Sequence, residues 1–362
     1  MAQAPRLTVH ERLPGGSRLP ALASGMVITL IVGVVLYLGK NVLVPIVLAI
    51  LAVYVVLGLL RVLERPHLGG RRLPLSVRYT LTLACIAAAL AALGYLFMST
   101  MDHALAQGPR YQLQLLEAIQ RGAAMLNIER EPTWATLRDA LLGQISFQRL
   151  IAGALSSVSS ILGSFVVVFL YVAFLLLERR VIDDKIAALS DDPTAVSRIR
   201  GVIERINARI GSYLALKTLL SVVLALVSWG VMRLMGLELA GFWAVTTGLL
   251  NFIPYLGTVI SVALPVLMAI VQFGDLGSVL ALLAALSVVQ FVIGNFIDPY
   301  VMGNSLNLSP VAILASLTVW SGLWGIAGAF LAVPVTAIMA IVLSEFHATR
   351  PVAVLLSGNG KL

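Results

Sequence analysis

Continuous apolar runs dominate the chain, and most approach the length that crosses a bilayer. They lie at about 24–39, 42–60, 77–98, 158–177, 213–235 and 277–297. A hydrocarbon core needs ~20 helical residues to span it. Because backbone groups in lipid must bond within their own segment, each run is predicted to be a helix. A β-barrel would alternate apolar and polar residues in ~10-residue units. The pattern therefore predicts an all-α integral membrane protein.

Two further apolar stretches, at about 241–273 and 308–343, share one interrupted pattern. Pro265 and Pro334 occupy matching places after the two interruptions, and the offset between the copies stays between 67 and 69 residues. Paired apolar segments broken by Gly or Pro at corresponding positions are typical of transporter binding sites. We interpret the stretches as two broken or re-entrant hairpins of a membrane carrier.

Composition agrees with this interpretation. The hydrophobic fraction is 59% and the charged fraction 12%, against about 45–50% and about 25% in typical soluble domains. Mean hydropathy is +0.98 and the net charge is +8. We assign the positive charge to cytoplasmic loops and expect no nucleic-acid partner. The single cysteine, Cys85, excludes a disulfide within the chain and a thiolate metal cluster.

Basic loops predict the orientation. The loop 61–78 and the segment 178–212 are rich in arginine, so both are expected in the cytoplasm, whereas 99–156 balances arginines with acids and is expected outside. The first apolar run, after three arginines, is predicted to be an uncleaved helix. Counting crossings places both termini in the cytoplasm and makes the two hairpins enter from opposite faces, as an inverted repeat.

The same features divide the chain into five regions. These are an N-terminal three-helix membrane or scaffold region (1–98), a helical extracytoplasmic domain (99–156), a membrane helix with an amphipathic cytoplasmic linker helix (157–212), a transport core with both hairpins (213–345) and a cytoplasmic tail (346–362). The outer domain is interpreted as a lid or gate or, alternatively, as a scaffold or oligomer contact. Asp191-Asp192-Pro193 predicts the start of the linker helix.

No enzyme motif is present. There is no Walker-type glycine loop, and His10, His67, His103 and His347 are scattered rather than set at zinc-ligand spacing. We therefore predict no catalytic residues, no cofactor and no metal site.

Polar residues inside apolar stretches mark the candidate site. An amide or carboxylate in hydrocarbon is costly unless paired, so Asn251, Asn295 and Asp298 should face a wet cavity. Chain breaks at Pro254 and near Gly322 would free backbone groups for a solute. Alternatives stay open, because Pro254 can simply kink a packed helix and Asp298 can simply cap one. We interpret Lys217 and Arg233, near the two ends of one apolar run, as snorkelling to the membrane surfaces, and Glu238 as solvated outside.

These motifs together resemble the autoinducer-2 exporter (AI-2E) family of bacterial membrane proteins. The residues that carry the resemblance are Asn251-Phe252-Ile253-Pro254-Tyr255-Leu256-Gly257, Gln290, Asn295-Phe296-Ile297-Asp298-Pro299, Gly303, Leu308-Ser309-Pro310, Trp324-Gly325-Ile326-Ala327-Gly328 and Pro334, with Tyr213 and Lys217 ahead of them. The match covers roughly residues 195–345, and the N-terminal part agrees only in layout. One departure is Gly294, where the family usually has a glutamate, which puts ion coupling through that position in doubt.

The resemblance implies about seven or eight transmembrane helices in a bacterial inner membrane, and a homo-oligomer surrounded by lipid. It implies export of autoinducer-2 in some members and Na⁺(Li⁺)/H⁺ exchange in others, with H⁺ or Na⁺ as the coupling ion. The residues expected to bind substrate or ion are Asn251, Pro254, Tyr255, Gly257, Gln290, Asn295, Asp298, Pro299, Ser321, Gly322 and Gly325.

The sequence thus leaves three functions open. The first is a secondary transporter that exports a small polar solute by alternating access. The second is a cation/proton antiporter, for which Asp298 is the best titratable carboxylate. The third is an oligomeric pore or a membrane scaffold that uses its outer helical domain for partners.

Overall fold

The computed structural model describes residues 18–63, 75–125, 166–178, 181–302 and 306–360. Within these ranges the chain is nearly all helical, with one isolated antiparallel bridge between Leu308 and Ser357. The helices in order are α1 (Arg18–Leu38), α2 (Lys40–Leu63), α3 (Leu75–Met125), α4 (Val166–Glu178), α5 (Ile182–Ala187), α6 (Pro193–Leu234), α7 (Ala240–Leu250), α8 (Leu256–Phe273), α9 (Leu276–Val292), a π-helical turn (Ile293–Ile297), α10 (Asp298–Met302), α11 (Pro310–Ser344) and α12 (Arg350–Leu356).

By length and composition, five helical segments of the described chain could cross a membrane, although the last of them is interrupted at Gly325. They are Lys40–Leu57, Pro193–Leu234, Leu256–Phe273, Leu276–Met302 and Pro310–Ser344. Shorter apolar helices lie at Ala23–Leu38, Ala91–Thr100, Val166–Glu178 and Ala240–Leu250. Many of their apolar side chains are exposed, including Leu38 at 74% and Leu234 at 90%, as expected where lipid replaces water. The prediction of a nearly all-helical membrane protein is confirmed for the described residues, whereas the predicted seven or eight transmembrane helices stay a prediction.

Helix α6 is the central element of the described fold. It packs against α2, α7, α9 and α11, and its buried positions include Ile210, Leu214 and Leu224. The predicted helix start is confirmed, because Asp192 caps α6 by accepting a hydrogen bond from the Thr194 backbone N–H at 2.9 Å. A hydrogen bond from the Thr194 hydroxyl, together with this backbone bond, holds the pKa of Asp192 below its ordinary value. The predicted boundary between residues 212 and 213 falls inside this continuous helix.

Helix α3 is 51 residues long and runs without interruption across the predicted boundary at residue 98. It packs against α2, α7 and α8. In its second half Tyr111, 8% exposed, donates a hydrogen bond to the Glu238 carboxylate, which also lies 3.7 Å from Arg110 Nη1. Burial and the neighbouring Glu238 raise the pKa of Tyr111 well above its ordinary value. Glu238, predicted to be solvated, is therefore also bound by α3, and its side chain is 26% exposed. The rest of the predicted outer domain, from residue 126 onward, lies outside the described residues.

The chain reverses between α7 and α8, at the first predicted break. Residues 251–255 form a non-helical turn, and Tyr255 has a φ of 61°, a conformation that bulky residues rarely adopt. A Cβ atom placed on Gly257 would lie 1.9 Å from the Leu250 carbonyl oxygen. Only glycine lets α8 start this close to the end of α7.

The chain also reverses inside α11, at the second predicted break. Gly325 has φ 62° and ψ −139°, which is not helical. The Trp320 indole Nε1 donates to Thr336 Oγ1 at 3.1 Å, although sixteen residues of straight helix would separate them by about 24 Å. The arms before and after Gly325 therefore lie side by side. A Cβ on Gly328 would stand 1.8 Å from the Trp320 carbonyl oxygen.

Candidate functional site

A cavity of about 1450 Å³ opens where α6, the first reversal, α9 and the π-helical turn meet. Both polar side chains and apolar side chains line it. The polar lining residues are Tyr213, Lys217, Asn251, Tyr255, Thr258, Ser287, Gln290, Asn295, Asp298, Asn307 and Asn359. Such a mixture of a mostly apolar wall and a few convergent polar groups is typical of a small-molecule site.

Lys217 joins three elements inside this cavity. Its Nζ donates to Asp298 Oδ2 at 2.9 Å and lies 3.4 Å from Asn251 Oδ1. The side chains of Lys217 and Asp298 are only 10% and 22% exposed. Snorkelling was therefore the wrong interpretation of Lys217, because its ammonium turns inward to a carboxylate instead of outward to a membrane surface. Arg233, by contrast, is exposed.

Asn251 connects the first reversal to α6. It ends α7, and its amide Nδ2 donates to Ser221 Oγ at 3.0 Å while its Oδ1 faces Lys217. One amide thus reaches two side chains that lie one turn apart on the same face of α6. The turn is fixed to the central helix by polar contacts, and they would have to change if the hairpin moved relative to α6.

A second set of polar contacts joins the inner faces of the first hairpin and α9. Gln290 is 7% exposed, and its Nε2 donates to Ser261 Oγ at 2.6 Å. Ser261 Oγ donates in turn to the Thr258 carbonyl oxygen at 3.0 Å. Thr247 Oγ1, on the other arm of the hairpin, lies 3.4 Å from the Ser261 carbonyl oxygen. These contacts satisfy the buried groups and tie the hairpin to α9.

The π-helical turn places Asp298 in the cavity. The segment Ile293–Ile297 interrupts the helix with a wider turn, a feature often found at functional sites. Asn295 lies in it, and its Nδ2 donates to the Phe291 carbonyl oxygen at 3.1 Å. The second oxygen of Asp298, Oδ1, is buried and has no hydrogen-bond partner among the described residues. A carboxylate oxygen of this kind can accept a hydrogen bond from a ligand.

The structure gathers most, but not all, of the predicted site residues. Asn251, Pro254, Tyr255, Gln290, Asn295 and Asp298 line the cavity. Gly257 permits the first reversal, and Pro299 follows Asp298 in α10. Ser321, Gly322 and Gly325 lie at the second reversal and are not among the lining residues; Ser321 Oγ is buried there without a partner in the described chain. A role for these three residues in binding stays a prediction.

Sequence reasoning missed Lys217, and one signal for it was present. The apolar run around Lys217 is as consistent with snorkelling as with an internal ion pair, but the Tyr213/Lys217 pair was part of the family resemblance. Both side chains line the cavity. Among the described residues, no three histidine, cysteine or acidic side chains come close enough to hold a metal ion.

Helices long enough to span a membrane, and a cavity with convergent polar groups between broken helices, are features of a membrane transporter. The chain belongs to the AI-2E transporter family, whose pattern it matches over residues 26–348. It is therefore a multi-pass membrane protein of a family of transporters, not of enzymes, and the resemblance found in the motifs is confirmed.

Three relatives illustrate the breadth of this family. The chain is 27% identical to the "AI-2 transport protein TqsA" of Escherichia coli K12 over 346 residues, which covers 93% of this chain and 95% of the relative. It is 28% identical over 291 residues to the "Putative transport protein YhhT" of the same strain, covering 79% and 80%. It is 32% identical over 197 residues to a "Putative transport protein" of Borreliella burgdorferi, spanning about half (54%) of each chain.

Proposed function

We propose that this protein is a secondary transporter that moves a small polar solute through the cavity around Lys217 and Asp298. The observation that carries the proposal is the ion pair between these side chains, with Asn251 beside it, at a point where α6, the first reversal and the π-helical turn meet. Polar and ionisable groups at membrane depth are costly and mark substrate or ion pathways. Broken helices at the same place are typical of a transporter site.

The two reversals support an alternating-access mechanism. The arms of the second hairpin, 310–324 and 326–344, are about 22 and 28 Å long. The arms of the first, α7 and α8, are about 16 and 27 Å. In each hairpin at least the first arm is too short for a hydrocarbon core of about 30 Å. We propose that both hairpins are re-entrant, enter from opposite faces as an inverted repeat, and expose the cavity to each face in turn.

We propose an exported solute related to autoinducer-2. The support is the name of the relative TqsA together with its similarity over nearly the whole chain. The cavity is compatible with such a solute, since its polar groups are amides, hydroxyls and an internally neutralised ion pair. We further propose that both termini lie in the cytoplasm. We also propose that the protein forms homo-oligomers, and cross-linking in native membranes would test this.

Counterflow in proteoliposomes tests the transport proposal. Vesicles loaded with autoinducer-2 should accumulate labelled autoinducer-2, and Asn251→Ala and Pro254→Ala should lower the rate by at least about tenfold, since each alters the break that shapes the site. Asn207→Ala is the matched control. Asn207 lies on another part of α6, where its side chain accepts a hydrogen bond from Tyr54 of α2, and it does not line the cavity. Equal rates in all four proteins would remove the proposed site.

The second candidate function is Na⁺(Li⁺)/H⁺ exchange, and the unpartnered Oδ1 of Asp298 favours it. A carboxylate oxygen without a donor can take a proton or a small cation. A sodium pulse given to vesicles with a trapped pH dye would then move protons in the wild type and not in Asp298→Asn. Sodium-independent counterflow of autoinducer-2 would instead favour the first function.

A further inference from the structure

The C-terminal segment returns to the candidate site through backbone hydrogen bonds. The Ser309 N–H donates to the Leu356 carbonyl oxygen at 2.9 Å, and the Gly358 N–H donates to the Asn307 carbonyl oxygen at 2.9 Å. Leu308 and Ser357 thereby form an antiparallel bridge. We call residues Ser357–Gly360 the C-terminal strap.

The strap forms part of the cavity wall. Gly358 and Asn359 line the same cavity as Lys217 and Asp298, and so do Asn307 and Leu308 of the loop to which the strap is paired. Strap and loop therefore close one side of the cavity together. Residues 307–309 lead directly into the second hairpin, because Ser309 caps α11 by accepting from the Ala312 N–H at 3.1 Å.

The strap has a fixed base and an exposed end. At the base, α12 packs against α11, Ala353 is fully buried, and Thr349 Oγ1 donates to the Leu343 carbonyl oxygen at 2.8 Å. Beyond the bridge, residues 358–360 are exposed. A single two-stranded bridge is marginal compared with a sheet, so the strap can detach while α12 stays docked.

Local geometry keeps the strap flat against the loop. A Cβ on Gly358 would lie 3.4 Å from the Leu308 carbonyl oxygen, which leaves room for alanine but little more. Asn307 has a φ of 49°, a left-handed conformation that asparagine tolerates better than most residues. The carbonyl oxygen of Asn307 itself accepts the hydrogen bond from the Gly358 N–H.

We propose that the C-terminal strap is a movable wall of the cavity, which seals it toward the face of the membrane that carries the C-terminus. When the second hairpin shifts, the hydrogen bond from the Gly358 N–H to the Asn307 carbonyl oxygen breaks and the cavity opens on that face. The gate rests on the proposed transport function, but its backbone hydrogen bonds lie outside the cluster of Lys217, Asn251 and Asp298.

Cysteine labelling from each face of the membrane tests the strap. Cys85 is the single cysteine of the chain, so Cys85→Ser gives a background for Ser287→Cys, a probe on the cavity wall. Intact cells and inside-out vesicles are treated with a membrane-impermeant cationic methanethiosulfonate reagent. Protease access to a C-terminal tag identifies the face that carries the C-terminus.

Gly358→Pro and Gly358→Ala form a matched pair of strap variants. Proline removes the N–H that bonds Asn307, and Ser357 already has φ −75° and ψ 149°, the conformation favoured before proline. Alanine keeps the N–H. Because one backbone hydrogen bond is lost, Gly358→Pro should speed labelling of Ser287→Cys about fivefold from the face that carries the C-terminus. Gly358→Ala should label like the parent protein.

Three results would overturn the gate. They are unchanged labelling in Gly358→Pro, equal acceleration by Gly358→Ala, and acceleration from the opposite face. Ser228→Cys, at a position only 1% exposed in α6, reports general unfolding and should stay unlabelled in every variant. If Gly358→Pro unfolds by this criterion, truncation after Leu356 replaces it, with the same expected acceleration. Loss of counterflow in Asn251→Ala with no effect of the strap variants would leave the transport site standing and remove the gate alone.

Discussion

The two helical reversals of this protein use the same closure but differ in what they present. In each, a glycine stands against a carbonyl oxygen from the preceding arm, so that a Cβ on Gly257 or Gly328 would approach it to 1.9 or 1.8 Å. The first reversal ends in a polar turn beside Lys217 and Asp298. The second is packed with tryptophans. The same close glycine–carbonyl contact therefore borders the proposed binding site in the first reversal and a packed pair of tryptophans in the second.

The backbone at the two turning points sharpens this contrast. Gly325 holds a φ of 62° at the second reversal, whereas Tyr255 holds a φ of 61° at the first. Glycine adopts this region freely, but a bulky residue is strained there. Tyr255 is 54% exposed and lines the cavity. Strain of this kind tends to cluster at functional sites, which agrees with a site at the first reversal.

The largest expected effect is on folding, from Gly257→Ala and Gly328→Ala. Each Cβ would overlap a backbone oxygen, so each variant should lose at least about 3 kcal/mol of stability, the upper end of ordinary overpacking. Gly322→Ala is the matched control, since a Cβ there meets nothing within 4 Å, and it should be neutral. Thermal unfolding in detergent measures all three. A clearly milder effect at Gly328 than at Gly257 would break the equivalence of the two closures.

The next effect concerns the ion pair. Lys217→Met leaves Asp298 without its cation, and Asp298→Asn leaves Lys217 without its carboxylate. Each should abolish counterflow and cost about 2 kcal/mol, less than the roughly 3–5 kcal/mol of a fully dry pair, because the cavity admits water. The double variant should recover the stability but not the transport. Stability losses that simply add in the double variant would show that the two side chains do not interact.

A smaller effect is expected at the second reversal. Trp320→Phe removes the indole donor to Thr336 Oγ1, and Thr336→Val removes the acceptor. A double-mutant cycle on unfolding free energies should give a coupling of about 1 kcal/mol, the net worth of a neutral hydrogen bond. Counterflow should stay close to that of the wild type. If these variants abolish transport without changing stability, the second reversal is part of the site.

The smallest effect is expected from Tyr255→Gly. Glycine relieves the left-handed strain of the turn, and the exposed ring gives up little packing, so stability should change by no more than about 1 kcal/mol, in the stabilising direction. Counterflow should nevertheless fall, because the tyrosine lines the cavity. Unfolding and counterflow measured on one preparation separate the two outcomes. Faster transport in Tyr255→Gly would mean that the ring obstructs the path.

Local signals in the sequence located the features that depend on the backbone. Pro254, Gly257 and Gly325 marked the reversals because few other residues allow such breaks, and Asp192 marked a helix start through its capping chemistry. The position of Lys217 was not predictable from its own run, since an inward ion pair depends on Asp298, 81 residues away. The pairing of the strap with residues 307–309 was not predictable either, because it is made by backbone hydrogen bonds that do not depend on particular side chains.

The length of α3 has a consequence for how the outer part of the protein works. Its 51 residues amount to about 77 Å of helix, more than twice the thickness of a hydrocarbon core. Over half of α3 must therefore stand clear of the lipid, and Tyr111 in that projecting half touches Glu238 just ahead of the first hairpin. The projecting half is continuous with the part of α3 that packs against α7 and α8, and it contacts Glu238 ahead of the first hairpin, so a displacement of this half would be transmitted to that hairpin.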